Sequence, residues 1–237
     1  SATWDVRADG QDYETIALGD LTGDGIDELV IGDWGYSRVY VYEGGTSGAL
    51  DSADRLSTLD STYSTIGLGT SVLANADYDG DGQNDLIVGA PWTDDYMGMI
   101  YEIDGPLTAS TYDDTDVDLE VRGEVEGIYF GYSLAHGGDM NDDGEAELVV
   151  GAPGDDSSGL TDGGAVFLFD ESPTSGERTT ADAGTVVLGT RNSGELGLSV
   201  AAADIDGDGA TDLLCNGDDV TSPVGSAGAV IFYGGRR

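Results

Sequence analysis

Apolar and polar positions along this chain follow a long repeat. Four short apolar runs, "LVIG" at 29–32, "LIVG" at 86–89, "LVVG" at 148–151 and "LLCN" at 213–216, are unbroken over three or four residues. Runs of that length bounded by polar turns predict strands buried on both faces. Each is preceded by a segment rich in small residues, "TIALG", "VLANA", "LAHGG" and "SVAAA". Each is followed by a segment of β-branched and aromatic residues bounded by Gly, "RVYVYE", "GMIYEI", "GAVFLF" and "GAVIFY", which predicts a third strand. A weaker fourth segment, "RLSTL", "VDLEVRG" or "TVVLG", closes the first three units.

Four-stranded antiparallel units repeated about every 60 residues predict an all-β β-propeller, in which small residues suit the crowded inner strands. The expected units span roughly 9–59, 60–122, 123–188 and 189–237 of one domain, 1–237. The last unit lacks a fourth strand, and "TWDVRA" at 3–8 is placed to supply it. A ring of four blades closed by that N-terminal strand is the favoured reading; an excerpt of a longer propeller is the rival one.

Between the first two strands of every unit lies an acidic loop: "DLTGDGIDE" at 20–28, "DYDGDGQND" at 77–85, "DMNDDGEAE" at 139–147 and "DIDGDGATD" at 204–212. Hard cations such as Ca²⁺ take six to eight oxygen ligands, and alternate side chains of a tight turn supply them. Positions one, three, five and nine offer side-chain oxygens and position seven a backbone carbonyl. The expected ligands are Asp20, Thr22, Asp24, Ile26 and Glu28; Asp77, Asp79, Asp81, Gln83 and Asp85; Asp139, Asn141, Asp143, Glu145 and Glu147; and Asp204, Asp206, Asp208, Ala210 and Asp212. Position six is Gly in all four, Gly25, Gly82, Gly144 and Gly209, as a left-handed backbone requires. An EF-hand is excluded, because its position twelve would be Glu. Here that position is Ile31, Val88, Val150 or Cys215, inside an apolar strand. About four Ca²⁺ ions, one per repeat, are expected as structural staples.

Composition narrows the partners. Against 47 acidic residues stand 8 basic ones, all Arg, for a net charge of −39, so nucleic acid and anionic membranes are repelled at long range. Four Ca²⁺ ions would offset only about eight of those charges. The single cysteine, Cys215, rules out an internal disulfide. Catalytic machinery is hard to assemble: His136 is the sole histidine, standing where the other units have Ala17, Ala74 and Ala201, and there is no Lys. A non-catalytic chain is expected.

The segment "YFGYSLAHGGDMNDDGEAELVVGAPGDDSSGLTDGGAVFLF" at 129–169, with Phe130-Gly131, the acidic loop, Gly151-Ala152-Pro153 and Gly164-Ala165-Val166, resembles the FG-GAP repeats of integrin α-subunit propellers and their bacterial relatives. "GLGTSV", "GAPW" and "GMIYEI" in the second unit match too; the first has "IGDWG" and the fourth "CNGDD" at the Gly-Ala-Pro position. The resemblance implies calcium in these loops, a secreted or cell-surface setting, and an adhesion or protein-interaction role through loops on the opposite face. A carbohydrate-binding propeller and an accessory domain of a larger secreted enzyme are the alternatives. Antiparallel order puts Trp34, Tyr36, Trp92 and Tyr96 on that opposite face, as anchors for a protein or a sugar ring.

Overall fold

The computed structural model describes residues 15–45, 50–62, 66–140, 146–169, 176–218, 227–232 and 234. The expected N-terminal strand at 3–8 lies outside them. The first unit is an antiparallel sheet of β1 (Thr15–Gly19), β2 (Glu28–Asp33), β3 (Arg38–Tyr42) and β4 (Arg55–Asp60). The second repeats it with β5 (Ser71–Ala76), β6 (Asp85–Ala90), β7 (Met99–Ile103) and, after the short β8 (Tyr112–Asp113), β9 (Leu119–Arg122). The third is β10 (Ser133–His136), β11 (Leu148–Ala152), β12 (Ala165–Phe169) and, after β13 (Gly176–Thr179), β14 (Thr185–Leu188). The fourth has β15 (Val200–Ala203), β16 (Asp212–Asp218) and β17 (Ala227–Phe232).

These sheets stand side by side as propeller-like blades. The innermost strands β1, β5, β10 and β15 are successive neighbours, and residues from all four line one cavity of about 470 Å³. Small residues let them approach: a Cβ on Gly19 of β1 would lie 1.5 Å from the Ala74 carbonyl oxygen of β5. Between blades 1 and 2 the core holds Val39, Val41, Leu68, Val88 and Tyr101; between blades 2 and 3 it holds Ile87, Ile100, Phe130, Val150 and Phe169. Cys215 is buried between blades 3 and 4, and burial pushes its thiol up to about 11.

The seams between blades repeat one device. Leu68, Phe130 and Leu196 are buried, and the glycine after each presents its carbonyl to the preceding blade. Thr15, Ser71 and Ser133 donate hydroxyl hydrogen bonds to the carbonyls of Gly69, Gly131 and Gly197, at 2.7, 2.7 and 2.8 Å. Facing each carbonyl is the next-to-last residue of a second strand, a glycine. A Cβ on Gly32, Gly89 or Gly151 would come within 2.1, 2.0 and 2.0 Å of the same three oxygens.

The outer edge differs from the expected four strands. β8, from the connection between β7 and β9, pairs in parallel with β4 of blade 1; β13, from the connection between β12 and β14, pairs in parallel with β9 of blade 2. Each of these blades thus gains a fifth strand from its successor, which shields an edge that would otherwise present unpaired N–H and C=O groups.

Candidate cation-binding loops and the opposite face

Among the described residues, the acidic loops of blades 1, 2 and 4 are each closed by their own first carboxylate. Asp20 accepts from the N–H groups of Gly23, Asp24 and Gly25 at 2.8, 3.1 and 2.8 Å. Asp77 accepts from Gly82 at 3.0 Å, and Asp204 from Gly207 and Gly209 at 2.7 and 3.0 Å. Burial alone would push the Asp20 carboxyl up, but the N–H groups of Gly25, Gly23, Asp24 and Thr22 outweigh it and hold it below the usual range. Gly25, Gly82 and Gly209 have φ of 86°, 92° and 94°, the left-handed region that favours Gly. Position four is left-handed as well at Gly23, Gly80 and Gly207; Asp-Gly or Thr-Gly at positions three and four of these loops was the sequence signal for it.

Position nine has a second task. Glu28, Asp85, Glu147 and Asp212 are all at most 1% exposed. One oxygen of each accepts the position-two N–H, from Leu21 at 2.8 Å, Tyr78 at 2.6 Å, Met140, and Ile205 at 2.8 Å. The other oxygen, in blades 1, 2 and 4, accepts from the glycine beyond the third strand, Gly44 at 3.4 Å, Gly105 at 3.0 Å and Gly234 at 2.9 Å. This carboxylate therefore ties its loop to the end of its own blade. Burial pushes Asp85 up, against the N–H groups of Gly105 and Tyr78, and the charge of Asp79 adds to the rise.

Carboxylate oxygens of Asp77, Asp79 and Asp85 all lie within 4.8 Å of one another, and so do those of Asp204, Asp206 and Asp208. Asp81 and Asp208 each accept from the backbone of position seven, Gln83 at 2.7 Å and Ala210 at 2.9 Å, which brings those residues into the turn. Asp212 stays outside the blade 4 group. In loop 1, Asp24 accepts from Ile26 at 2.8 Å, and Thr22 stands at position three in place of the Asp of loops 2 and 4. In loop 3, Asp139 and Glu147 are described, whereas Asn141, Asp143, Gly144 and Glu145 lie outside the described residues. The loops also touch one another: Asn84 donates to the Asp20 carbonyl at 3.3 Å.

At the other end of the sheets stand the four aromatic residues read from the sequence. Trp34 and Trp92 meet edge to face, with ring centroids 4.7 Å apart, and Gly67 leaves room for the Trp92 ring, which a Cβ there would touch at 2.5 Å. That pair joins the turns of blades 1 and 2. Tyr36 and Tyr96 are 62% and 51% exposed, and Tyr96 also meets Tyr129 at 5.4 Å. Sequence reading missed a pocket of about 290 Å³ beside them, lined by Trp92, Tyr129, Tyr132, Asp162, Glu195 and Leu198. Tyr129, Asp162 and Glu195 all hold a positive φ. His136, in β10, is half-buried, and burial lowers its pKa against the opposing charge of Asp77.

The spacing of glycines and carboxylates in these loops matches the family model described as FG-GAP-like repeat over residues 20–88, and the model described as FG-GAP repeat matches residues 130–169. The chain carries FG-GAP repeats. Among curated proteins, it is 34% identical over 179 residues to phosphatidylinositol-glycan-specific phospholipase D of Rattus norvegicus, covering 72% of this chain and 20% of that protein. It is 30% identical over 216 residues to integrin alpha pat-2 of Caenorhabditis briggsae, covering 83% and 17%. Human integrin alpha-11 is 31% identical over 149 residues, covering 57% of this chain and 12% of its own length. The FG-GAP chain thus spans about a fifth of the length of the curated relatives it matches. The solved structure of BBS1N in complex with ARL6DN aligns with 94% of this chain and 58% of that one, at 12% identity and a TM-score of 0.48. Among the described residues no helix is long and apolar enough to cross a membrane.

Proposed function

We propose that this FG-GAP chain is a calcium-stapled, non-catalytic interaction module of a secreted or cell-surface protein, forming a four-bladed propeller over residues 1–237. Its metal loops fix one face, and the turns bearing Tyr36, Trp92 and Tyr96 present the other to a protein ligand. The observation that carries the reading is the convergence of three carboxylates in each of loops 2 and 4, since such groups repel strongly without a cation between them. The integrin relatives, which cover most of this chain, favour a protein ligand.

Asp79→Asn and Asp206→Asn should each lower the number of Ca²⁺ ions bound by one, read by calorimetry. An unchanged count in both would remove the basis of the staple. Binding of the wild type and a Tyr36→Ala, Tyr96→Ala variant to arrayed extracellular proteins and glycans then tests the opposite face. A glycan signal lost in the variant would replace the protein-ligand reading with the lectin one. The phospholipase relative supports a second reading, an accessory domain of a larger secreted enzyme, because the match falls on only 20% of that protein.

A further inference from the structure

A cavity of about 460 Å³ lies where blades 1 and 2 meet, and strand register accounts for its wall. Met99 and Tyr101 of β7 stand opposite Arg122 and Glu120 of β9. Residues two apart on a strand share a face, so these four side chains lie on one side of the blade 2 sheet. Along β7 that side continues with Ile103 into the apolar core against blade 1. Along β9 it carries charge instead, where the fourth strand of blade 3 has Val186 and Leu188 at the matching positions. The chain leaving β4 adds Thr62 and Ile66. Asp114, from the connection between β8 and β9, accepts from the Thr62 N–H at 3.2 Å and its hydroxyl at 2.8 Å.

Three groups of this wall have hydrogen-bonding capacity left. Tyr101 is 4% exposed, yet among the described residues its hydroxyl has no hydrogen-bond partner; a buried phenol usually finds one. Burial, and then the charges of Glu120, Asp114 and Asp94, push that hydroxyl up against the opposing charge of Arg122. All four of those charged residues line the cavity, and the phenol keeps its proton there. Glu120 is half-buried, and its carboxylate accepts no hydrogen bond among the described residues. Arg122 meets Asp94 through Nη1 at 3.3 Å and keeps further N–H donors. Ile66 and Met99, both buried, supply apolar surface beside these groups.

A ligand that satisfies this wall must donate to Glu120, accept from Arg122 and do either with Tyr101. An anion would meet the carboxylates of Asp94, Asp114 and Glu120. An ammonium has donors only and offers Arg122 no acceptor, whereas a hydroxyl both gives and takes. We propose that the cavity between blades 1 and 2 binds a neutral saccharide. Glu120 accepts from neighbouring ring hydroxyls, Tyr101 and Arg122 donate to sugar oxygens, and a C–H face of the ring lies against Ile66 and Met99. The volume falls within the range of about 300–1,000 Å³ usual for small-molecule sites. This site uses neither the acidic loops nor Tyr36 and Tyr96, so it stands apart from the metal and protein-ligand readings.

Saturation-transfer NMR on the full chain in Ca²⁺ tests it, with glucose, galactose, mannose, fucose and N-acetylglucosamine as probes and spermidine and citrate as charged controls. At least one sugar should receive saturation, and neither control should. The affinity for that sugar should fall about tenfold or more in Glu120→Gln and in Tyr101→Phe, the loss expected when a hydrogen bond to a charged or buried group is removed. Tyr101→Phe keeps the ring in the core and should melt no lower than wild type, so its loss of binding is not a loss of fold. A Tyr36→Ala, Tyr96→Ala variant should bind the sugar as wild type does. Saturation of no sugar, a signal that both cavity variants leave intact, or one lost only in the Tyr36→Ala, Tyr96→Ala variant would each overturn the site. Spermidine binding that disappears in Glu120→Gln would make the cavity a cation site and overturn the saccharide.

Discussion

At the scale of single residues, Glu102 governs how metal-free protein responds to pH. Burial raises its carboxyl from 4.5 to about 9. The folded state therefore keeps a proton that the unfolded chain gives up, and stability is lost as pH climbs through that window, at most ~1.4 kcal/mol per pH unit. In chelator, denaturant unfolding followed from pH 5 to 9 should show a steady decline, and Glu102→Val should flatten it. A profile as steep in the variant as in the wild type would assign the decline elsewhere. Cys215 sets a simpler expectation. Its thiol is buried and pushed up to about 11, so a disulfide reagent at pH 8 should label it only after unfolding. Neither behaviour could be read from the sequence: Cys215 was recognisable as a core residue because its slot is Ile31, Val88 or Val150 elsewhere, but "GMIYEI" gave no sign that Glu102 points inward, since a strand buried on both faces has no alternation to break.

At the scale of elements, the glycines of the family signature act as spacers between blades. Gly89, next to last in β6, lies against the carbonyl of Gly131, and Ser71 donates to that same oxygen. Gly89→Ala should open the seam between blades 2 and 3 at a cost of about 3 kcal/mol, the upper range for overpacking. Ser71→Ala should cost ~1–2 kcal/mol, because it leaves the Gly131 carbonyl without its side-chain donor. Both are checked by denaturant unfolding in saturating Ca²⁺, with no loss of bound metal expected for Ser71→Ala. The first three strands of each blade were legible as continuous apolar runs and β-branched segments at a fixed distance from an acidic loop. β8 and β13 were not. "YD" and "GERT" are short, polar and without periodicity, and they become strands only because the preceding blade offers an edge in parallel register. The loops were legible for the opposite reason, since a tight acidic turn fixes both its carboxylates and its left-handed glycines locally. The extra role of position nine was hidden, because Gly44, Gly105 and Gly234 meet it only in the folded blade.

At the scale of the molecule, the acidic surface sets its own expectation. A net charge of −39 on 237 residues opposes the compact state by self-repulsion, which salt screens over about 10 Å at 0.1 M. Melting temperature in saturating Ca²⁺ should therefore rise with NaCl concentration, and a flat response would show that the acidic surface is held without cost. The clustering of aromatic turns on one face followed from antiparallel order alone, whereas the pocket between Trp92, Tyr129 and Tyr132 depends on how three blades are set against one another.

The central claim is that cations hold these loops, and thereby the blades, in place. The most direct test is calorimetric titration of Ca²⁺ into chelator-stripped protein, with thermal unfolding recorded at each step. The account predicts binding of about four ions in the loops and a melting temperature that climbs as they bind. No binding at millimolar Ca²⁺, with an unchanged melting temperature, would reduce the loops to acidic turns and contradict it.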